Sequence, residues 1–239
     1  MITVHGSTPL FGLPVGSPYV TKTEVQLRMM GLPFTTRNAM PTDSPKGQIP
    51  FVDDDGTRIA DSHFIRVHVE EKHGKDLDQG LDARQRAEAW AIERMIEGPL
   101  SAAMVYSRWL IPANFEKAFA LLAPGIPEEA RPQVRATMQD GVRKSLHGTG
   151  ITRHTDEEIL ALSRRSLEAL SVVLGDKPYL FGDHPVGVDA SAFGMLAAIL
   201  APFFDSPLRR CAESFPNLVA YTARMMRQFY PEHPWETPS

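Results

Sequence analysis

The fold is decided by the run PKGQIPFVDDDGTRIADSHFI, which spans residues 45–65. Two short runs suited to β-strands, 49–53 and 58–60, flank an Asp-Asp-Gly turn, and this arrangement predicts a β-hairpin. Asp61 then precedes a helix over residues 62–73, because a short polar side chain at a helix start accepts hydrogen bonds from free backbone N–H groups. The run therefore predicts two strands followed by a helix.

The residues before this run alternate between strand and helix signals as well. Residues 2–5 form a short β-branched run, and residues 17–30 have helical spacing that stops at Gly31. Residues 33–37 are suited to a second strand. The order β-α-β followed by β-β-α predicts an α/β domain, which we place at residues 1–76.

The remainder of the chain carries helical signals without a convincing strand. We expect helices over residues 83–110, 114–122, 128–146, 156–174, 188–200 and 215–229. Gly98-Pro99 should kink the first of these helices and widen the cleft between the domains. Thr155 and Glu158 have capping-box spacing at the start of the fourth. These signals predict an all-helical domain at residues 82–239, after a polar connecting segment.

Composition limits the classes of function. Lys and Arg number 25 against 29 Asp and Glu, giving a net charge of -4, which argues against a nucleic-acid partner held by bulk charge. Cys211 is the single cysteine, so no intrachain disulfide forms, and we expect it to be structural. We see no signal peptide and no apolar run long enough for a bilayer. The sequence predicts a cytoplasmic protein without a membrane partner or a metal site.

Ser17-Pro18 stands where the first helix should begin. The plain interpretation is an N-cap serine followed by a proline in the first turn, which explains the pair fully. The functional interpretation is that the hydroxyl of Ser17 lies in the positive field of the helix N-terminus. There it would donate a hydrogen bond to a bound thiolate and lower the pKa of that thiol. Both interpretations stay open on the residues alone.

Two further pairs combine an ordinary structural interpretation with a ligand-binding one. Ile49-Pro50 is either an edge-strand proline in a turn or a cis bond whose neighbouring backbone groups pair with a peptide-like ligand. Asp61-Ser62 is either a plain helix cap or a site for a carboxylate with an ammonium group beside it. With a thiol in reach of Ser17, the ligand profile is an amino-acid head, a peptide middle and a thiol. Glutathione fits that profile.

The ordered set of these segments resembles the glutathione transferase superfamily. The run at residues 45–65 resembles its thioredoxin-like domain, and GDHPVGVD at residues 182–189 resembles its helix-capping box. A narrower resemblance is to the failed-axon-connections (Fax-like) branch, which is related to the metaxins. It rests on SPY at 17–19, LRM at 27–29, IADS at 59–62, DLD at 76–78, YSRW at 106–109, RHTDEEI at 153–159, LGDKPY at 174–179 and FPNL at 215–218.

The resemblance implies a thioredoxin-like N-terminal domain that binds glutathione and an all-helical glutathione transferase C-terminal domain. It implies Ser17 as the thiol-activating catalytic residue. The implied glutathione contacts are backbone pairing by Ile49 beside a cis Pro50, the γ-glutamyl end at Asp61 and Ser62, and the glycine carboxylate at Lys46 or Gln48. Relatives of this kind are commonly dimers, so a homodimer is expected.

The resemblance also implies a second-substrate pocket for a hydrophobic electrophile against the helical domain. The residues expected there are Tyr19, Tyr106, Arg108 and Trp109. The alternative for the last three is packing between the domains. The sequence leaves both interpretations open.

Two positions depart from the family pattern. Many Fax-like proteins have a cysteine where this chain has Val20, and other glutathione transferases have one where Ser17 stands. The redox chemistry of the cysteine classes therefore has no nucleophile here. Val186 replaces the usual Ser or Thr of the capping box, a loss of about 0.5–2 kcal/mol of stability. Asp189 remains three residues on and can still bond back to the chain.

These observations favour an enzyme in which glutathione binds, Ser17 stabilises its thiolate, and the thiolate attacks a hydrophobic electrophile. The alternative is a non-catalytic binding or scaffold protein of the Fax or metaxin type, since function does not follow from fold. A glutathione-dependent peroxidase or lyase would use the same residues.

Overall fold

The computed structural model describes residues 1–235 of the chain. Its N-terminal part is built on a mixed sheet of four strands: β1 (Ile2–His5), β2 (Phe34–Arg37), β3 (Phe51–Asp54) and β4 (Thr57–Ala60). The strand order is β2-β1-β3-β4, in which β1 runs parallel to β2 and antiparallel to β3. The β3-β4 hairpin is antiparallel. The predicted thioredoxin-like domain is confirmed.

Two helices complete the N-terminal domain. Helix α1 (Pro18–Met29) begins one residue later than predicted, and α2 (Ser62–His73) has the predicted bounds. Gly74 ends α2 in the left-handed conformation at φ 60°, where a residue without Cβ is favoured. The segment after Gly74 leads into the helical part of the chain. The domain boundaries at residues 76 and 82 remain predictions.

The C-terminal part of the described chain is helical, as predicted. Its helices are α3 (Ala83–Met95), α4 (Ser101–Trp109), α5 (Pro112–Leu122), α6 (Arg131–Thr149), α7 (Asp156–Leu174), α8 (Gly187–Leu200), α9 (Pro207–Glu213) and α10 (Pro216–Phe229). The sequence did not predict α9, because seven residues are too few for helical periodicity to show. The last four residues of the predicted helical domain lie outside the described range. None of the helices in residues 1–235 is long and apolar enough to cross a membrane.

The kink expected at Gly98-Pro99 is a π-helical turn. Residues Ile96–Leu100 form this turn, and it joins α3 to α4 without a break. Pro99 has no backbone N–H, so the regular α-helical ladder is interrupted there. The N–H of Ser101 reaches back to the carbonyl of Ile96, which is the wider spacing of a π turn. The turn brings Glu97 to the seam between the two domains.

Helix α8 is the centre of the helical domain, because every one of its residues is buried. The N-terminal domain packs against α8 through α1. A Cβ at Gly194 would lie 2.5 Å from the carbonyl oxygen of Pro18, so only glycine permits this approach. The N-terminus of α1 is thereby held against the helical domain.

The start of α8 is capped in the way that the sequence allows. Val186 offers no side-chain acceptor, and the carboxylate of Asp189 accepts from the N–H groups of Val186 at 2.9 Å and Leu180 at 3.0 Å. The hydroxyl of Tyr221 donates to the same carboxylate at 2.9 Å. The expected bond from Asp189 back to the chain is present. The valine at position 186 therefore leaves one half of the capping box intact.

Candidate functional site

A cavity of about 530 Å³ lies where the N-terminal domain meets α3. Five of the six predicted glutathione-binding residues line it, namely Gln48, Ile49, Pro50, Asp61 and Ser62. The remaining lining residues are Tyr19, His63, Phe64, Trp90, Arg94 and Glu97. The cavity therefore has one wall from the sheet and α2, which we call the N-terminal wall, and one from α3 and the π turn, which we call the C-terminal wall.

The N-terminal wall is shaped mainly by backbone. The peptide bond between Ile49 and Pro50 is cis, and Pro50 precedes β3. The carbonyl of Pro50 accepts from the N–H of Asp61 at 3.3 Å, which ties the start of the hairpin to its end. A Cβ at Gly6 would lie 2.8 Å from Cβ of Ile49, so glycine is needed for this close packing. The backbone beside Ile49 is thus fixed at the edge of the cavity.

The start of α2 contributes Asp61 and Ser62 to the N-terminal wall. Asp61 is the N-cap, and its carboxylate accepts from the N–H of His63 at 2.9 Å. Its φ of 83° is unusual for a residue with a side chain. Backbone strain of this kind is concentrated at active sites and ligand-binding positions. Because Asp61 caps the helix, Ser62 lies in the first turn with its hydroxyl free of the capping role. An anion placed here meets the positive end of the α2 dipole.

The predicted glycine-carboxylate residues lie at the outer rim. Gln48 is exposed and lines the cavity, with its amide nitrogen 3.5 Å from a carboxylate oxygen of Asp61. Lys46 does not line the cavity. Its ammonium lies 4.1 Å from the centre of the Phe64 ring, which does line it. Lys46 therefore stands one side chain away from the cavity.

Ser17 caps α1 but does not line the cavity. Its backbone is extended, its side chain makes no capping hydrogen bond, and Pro18 opens the helix. The hydroxyl is therefore not committed to the helix that it precedes. Tyr19, two residues on, is the nearest lining residue along the chain. Ser17 thus stands at the N-terminus of α1, two residues before the lining residue Tyr19.

Tyr19 is the one residue predicted for the second-substrate pocket that lines the cavity. Its hydroxyl lies 2.9 Å from Oγ of Ser101 and donates to the carbonyl of Glu97 at 3.2 Å. Burial raises the pKa of Tyr19 above 10.0, although the hydrogen bond with Ser101 lowers it in part. At neutral pH this hydroxyl is therefore protonated and ties α1 to the π turn.

Tyr106, Arg108 and Trp109 do not line the cavity. The hydroxyl of Tyr106 donates to Asp156 at 2.5 Å, and burial raises its pKa to about 12. Trp109 packs edge-on against Phe11, with ring centres 6.2 Å apart. Their assignment to a second-substrate pocket is not supported by this cavity.

The expected place of Arg108 in the second-substrate pocket is corrected by its burial. Only 4% of this residue is exposed, and its guanidinium donates to two backbone carbonyls, one from each domain. A side chain enclosed in this way cannot line a pocket for a substrate. The alternative left open by the sequence, packing between the domains, describes its contacts.

The C-terminal wall holds residues that sequence analysis missed. Trp90 and Arg94 stand one helical turn apart on α3, and the guanidinium lies 4.4 Å from the centre of the indole. Trp90 is 49% exposed. The spacing of these two residues was visible in the sequence, but their approach to α2 depends on how the domains pack. No local pattern reveals that packing.

A buried charge cluster supports the C-terminal wall. The side chain of Lys22 is 1% exposed, and its ammonium donates to Glu93 at 3.1 Å and to Glu97 at 2.7 Å. Arg94 donates to the same two carboxylates at 2.8 and 2.6 Å. Burial alone would raise the pKa of Glu93, but Lys22 beside it outweighs burial and holds that pKa below 4.5. The cluster joins α1 to α3 and the π turn through paired charges.

Comparison with known proteins assigns the family. Residues 18–114 match the glutathione S-transferase N-terminal domain, and residues 163–225 match the glutathione S-transferase C-terminal domain. The chain is 33% identical over 243 residues to isoprene-epoxide–glutathione S-transferase of Rhodococcus sp. strain AD45, covering 96% of this chain and 99% of that relative. The chain therefore belongs to the glutathione S-transferase family.

Two further matches refine this assignment. Failed axon connections of Drosophila melanogaster is 34% identical over 240 residues, which is 94% of this chain and 56% of that protein. The resemblance to the Fax-like branch is confirmed. The fold also matches the apo structure of glutathione S-transferase III with a TM-score of 0.62 at 17% identity, over 100% of this chain and 99% of that one.

Proposed function

We propose that this protein is a glutathione transferase that binds glutathione along the N-terminal wall and activates its thiol through Ser17. The observation that carries the proposal is the convergence of Ile49, Pro50, Asp61 and Ser62 on one cavity. These residues lie on two separate elements, and each offers a group that suits one part of the tripeptide. The alternative is a binding or scaffold protein with the same fold.

The N-terminal wall suits the γ-glutamyl and cysteinyl parts of glutathione. The α-carboxylate of the γ-glutamyl group would accept hydrogen bonds at the N-terminus of α2, where Ser62 lies. The α-ammonium group would pair with the carboxylate of Asp61. The backbone of Ile49 would pair with the cysteinyl peptide as a short added strand. Gln48 or Lys46 at the rim would reach the glycine carboxylate.

Ser17 would stabilise the reactive sulfur. Its hydroxyl is not used to cap α1, and it stands at the positive end of that helix. A hydrogen bond donated to sulfur favours the thiolate over the thiol and lowers the thiol pKa. The nucleophile belongs to the ligand, so the task of the protein is to orient it and to stabilise its charge.

The electrophile is proposed to be a small hydrophobic epoxide or a compound of similar reactivity. The support is the 33% identity to a protein named for isoprene epoxide and glutathione. In the reaction the thiolate attacks an epoxide carbon, a C–S bond forms, and the C–O bond breaks. The resulting alkoxide takes a proton from water. Tyr19 and Trp90 would contact the apolar part of the epoxide, because both line the cavity.

Calorimetric titration of glutathione tests the proposal, with the wild-type protein beside Ser62→Ala and Ser17→Ala. We expect wild type to bind, Ser62→Ala to bind much more weakly, and Ser17→Ala to bind without lowering the thiol pKa. Absence of binding by the wild-type protein at millimolar glutathione would overturn the proposal. The scaffold alternative would then direct attention to protein partners.

A homodimer is proposed from the two large rings at the rim of the cavity. Phe64 is 53% exposed and Trp90 is 49% exposed, and both contact His63. Exposed aromatic rings that lie together mark interaction surfaces more often than isolated ones do. Light scattering should give twice the chain mass for the wild type and a lower mass for Phe64→Ser. A monomeric wild-type protein at micromolar concentration contradicts this proposal.

A further inference from the structure

Arg108 is a buried cation at the seam between the two domains. Its Nη1 donates to the carbonyl of Gly16 at 2.9 Å, and its Nη2 donates to the carbonyl of Ala198 on α8, also at 2.9 Å. Its Nε has no hydrogen-bond partner within the described chain. The guanidinium lies 5.3 Å from the centre of the Phe11 ring and 5.0 Å from that of Phe204. The groups around it carry no full negative charge, although the Ala198 carbonyl lies in the last turn of α8 and bears part of the negative end of that helix dipole.

No carboxylate of residues 1–235 forms an ion pair with Arg108. The contrast is Lys22, the other deeply buried cation of the domain seam, which contacts two glutamates. A buried charge without a counter-charge is costly, and proteins seldom keep one without a use. Burial lowers the pKa of Arg108 to about 9, which leaves the group charged at neutral pH. The seam therefore holds an unpaired positive charge.

The guanidinium of Arg108 is hydrogen-bonded to the peptide group that joins Gly16 to Ser17. The carbonyl that Arg108 holds belongs to Gly16, whose C–N bond leads directly to Ser17. The N–H of Gly16 donates to the carbonyl of Thr8 at 3.0 Å, and a Cβ on Gly16 would lie 2.8 Å from that of Leu10. Gly16, the residue before Ser17, is thus held by three contacts, and Arg108 is the one that comes from the helical domain.

We propose that Arg108 is a positioning residue, which orients Ser17 through the Gly16 carbonyl and whose unpaired charge stabilises the thiolate of bound glutathione. This inference rests on the proposed function of the same site. The counter-charge that the protein lacks is supplied by the sulfur anion of the ligand. At the effective dielectric constant of a protein interior, a unit charge several ångströms away shifts a thiol pKa by about one unit.

Three variants test the proposal. Arg108→Met removes the charge while keeping a side chain of similar length, and Arg108→Lys keeps the charge without the fork of two donors. Arg28→Met is the matched control, because Arg28 also crosses the seam, donating to the carbonyl of Phe229 at 2.9 Å. It stands about 16 Å from Ser17 along α1, eleven residues on at 1.5 Å each. Unlike Arg108, Arg28 forms an ion pair, because its guanidinium lies 3.6 Å from the carboxylate of Glu24.

The readout is the thiol pKa of bound glutathione, measured from the ultraviolet absorbance of the thiolate across pH. Thermal unfolding and the glutathione Kd are measured on the same samples. We expect Arg108→Met to raise the bound thiol pKa by about one unit, with little change in Kd. We expect Arg108→Lys to keep the pKa near the wild-type value while lowering Tm. Arg28→Met should lower Tm and leave the thiol pKa unchanged.

Each outcome has a defined meaning. An unchanged thiol pKa in Arg108→Met, or an equal rise in Arg28→Met, would show that Arg108 is only a packing residue. If Arg108→Met does not fold, the lysine variant decides, because a raised thiol pKa there would overturn the role of the charge. If wild-type protein does not lower the thiol pKa at all, the proposed function fails instead. The two failures are therefore distinguishable.

Discussion

The two walls of the cavity are built on different principles. The N-terminal wall consists of backbone geometry, with a cis proline at position 50 and a strained cap at Asp61. The C-terminal wall consists of side chains, and paired buried charges on Lys22 and Glu93 support it. Backbone features leave local signatures in the sequence, whereas a side-chain wall exists only when two domains meet. We therefore expect that substitutions can change the two walls separately.

The largest effect is expected from Lys22→Met, which leaves the two carboxylates of the C-terminal wall, Glu93 and Glu97, with Arg94 as their remaining hydrogen-bonded cation. Removing one partner of a buried ion pair costs about 3–5 kcal/mol. The free energy of unfolding at neutral pH should fall by about that amount, measured by urea denaturation. Arg84→Met is the control, because its side chain is 87% exposed and that of its partner Glu88 is 48% exposed, so its loss should change the free energy of unfolding far less. Equal effects of the two substitutions would contradict this account.

The pH dependence of the same variant sharpens the comparison. In the wild type the pKa of Glu93 is held below 4.5, so its ionised form stabilises the fold above that pH and this contribution is lost on acidification. In Lys22→Met the burial of Glu93 should instead raise its pKa, so the variant should gain stability as it takes up a proton. The difference in the free energy of unfolding between the variant and the wild type should therefore be smaller at pH 4 than at pH 7. If urea denaturation gives the same difference in the free energy of unfolding at pH 7 and pH 4, the ionised form of Glu93 is not stabilised by Lys22.

Ser62→Ala tests the N-terminal wall. Asp61 caps α2, so removing the hydroxyl of Ser62 should leave the fold intact. Loss of one hydrogen bond to a charged ligand should weaken glutathione binding about tenfold, or about 1.4 kcal/mol. Calorimetry measures the affinity and thermal unfolding serves as the control. A stable variant with wild-type affinity would remove Ser62 from the glutathione site.

The smallest effect is expected from Trp90→Ala, on the rim of the C-terminal wall. The indole is half exposed, so its removal should raise the KM for a hydrophobic epoxide about fivefold, or about 1 kcal/mol. The glutathione Kd should stay unchanged, because the ring belongs to the other wall. A weakened glutathione affinity in steady-state and calorimetric measurements would show that the two walls are not separable.

The N-terminal wall was the part that the sequence could predict. The turn before β4, the proline at position 50 and the cap at Asp61 each depend on a few adjacent residues with restricted backbone geometry. The bounds of α2 and of α7, with its capping box at Thr155, follow for the same reason. These features are local, so one sequence is sufficient to find them.

The C-terminal wall and the contacts between the domains could not be predicted from the sequence and became evident only in the structure. Arg108 occurs in a segment typical of the family, yet nothing local distinguishes an arginine that lines a pocket from one that packs between domains. Lys22 stands between Thr21 and Thr23 in the buried part of α1, and only the approach of α3 shows why a lysine is tolerated there. Helix α9 is too short for its periodicity to be recognised. In each case the deciding contact comes from residues distant in the chain.

The π turn at Ile96–Leu100 sets the rotation of everything that follows it. Each helical residue turns the chain by about 100°, and a π turn holds one residue more than an α-helical turn. If the same residues were wound as an ordinary α-helix, α4 would be rotated by about that angle. Ser101 and Arg108 would then face away from Tyr19 and Gly16. The extra residue that the π turn absorbs is therefore what keeps these two side chains directed at the N-terminal domain.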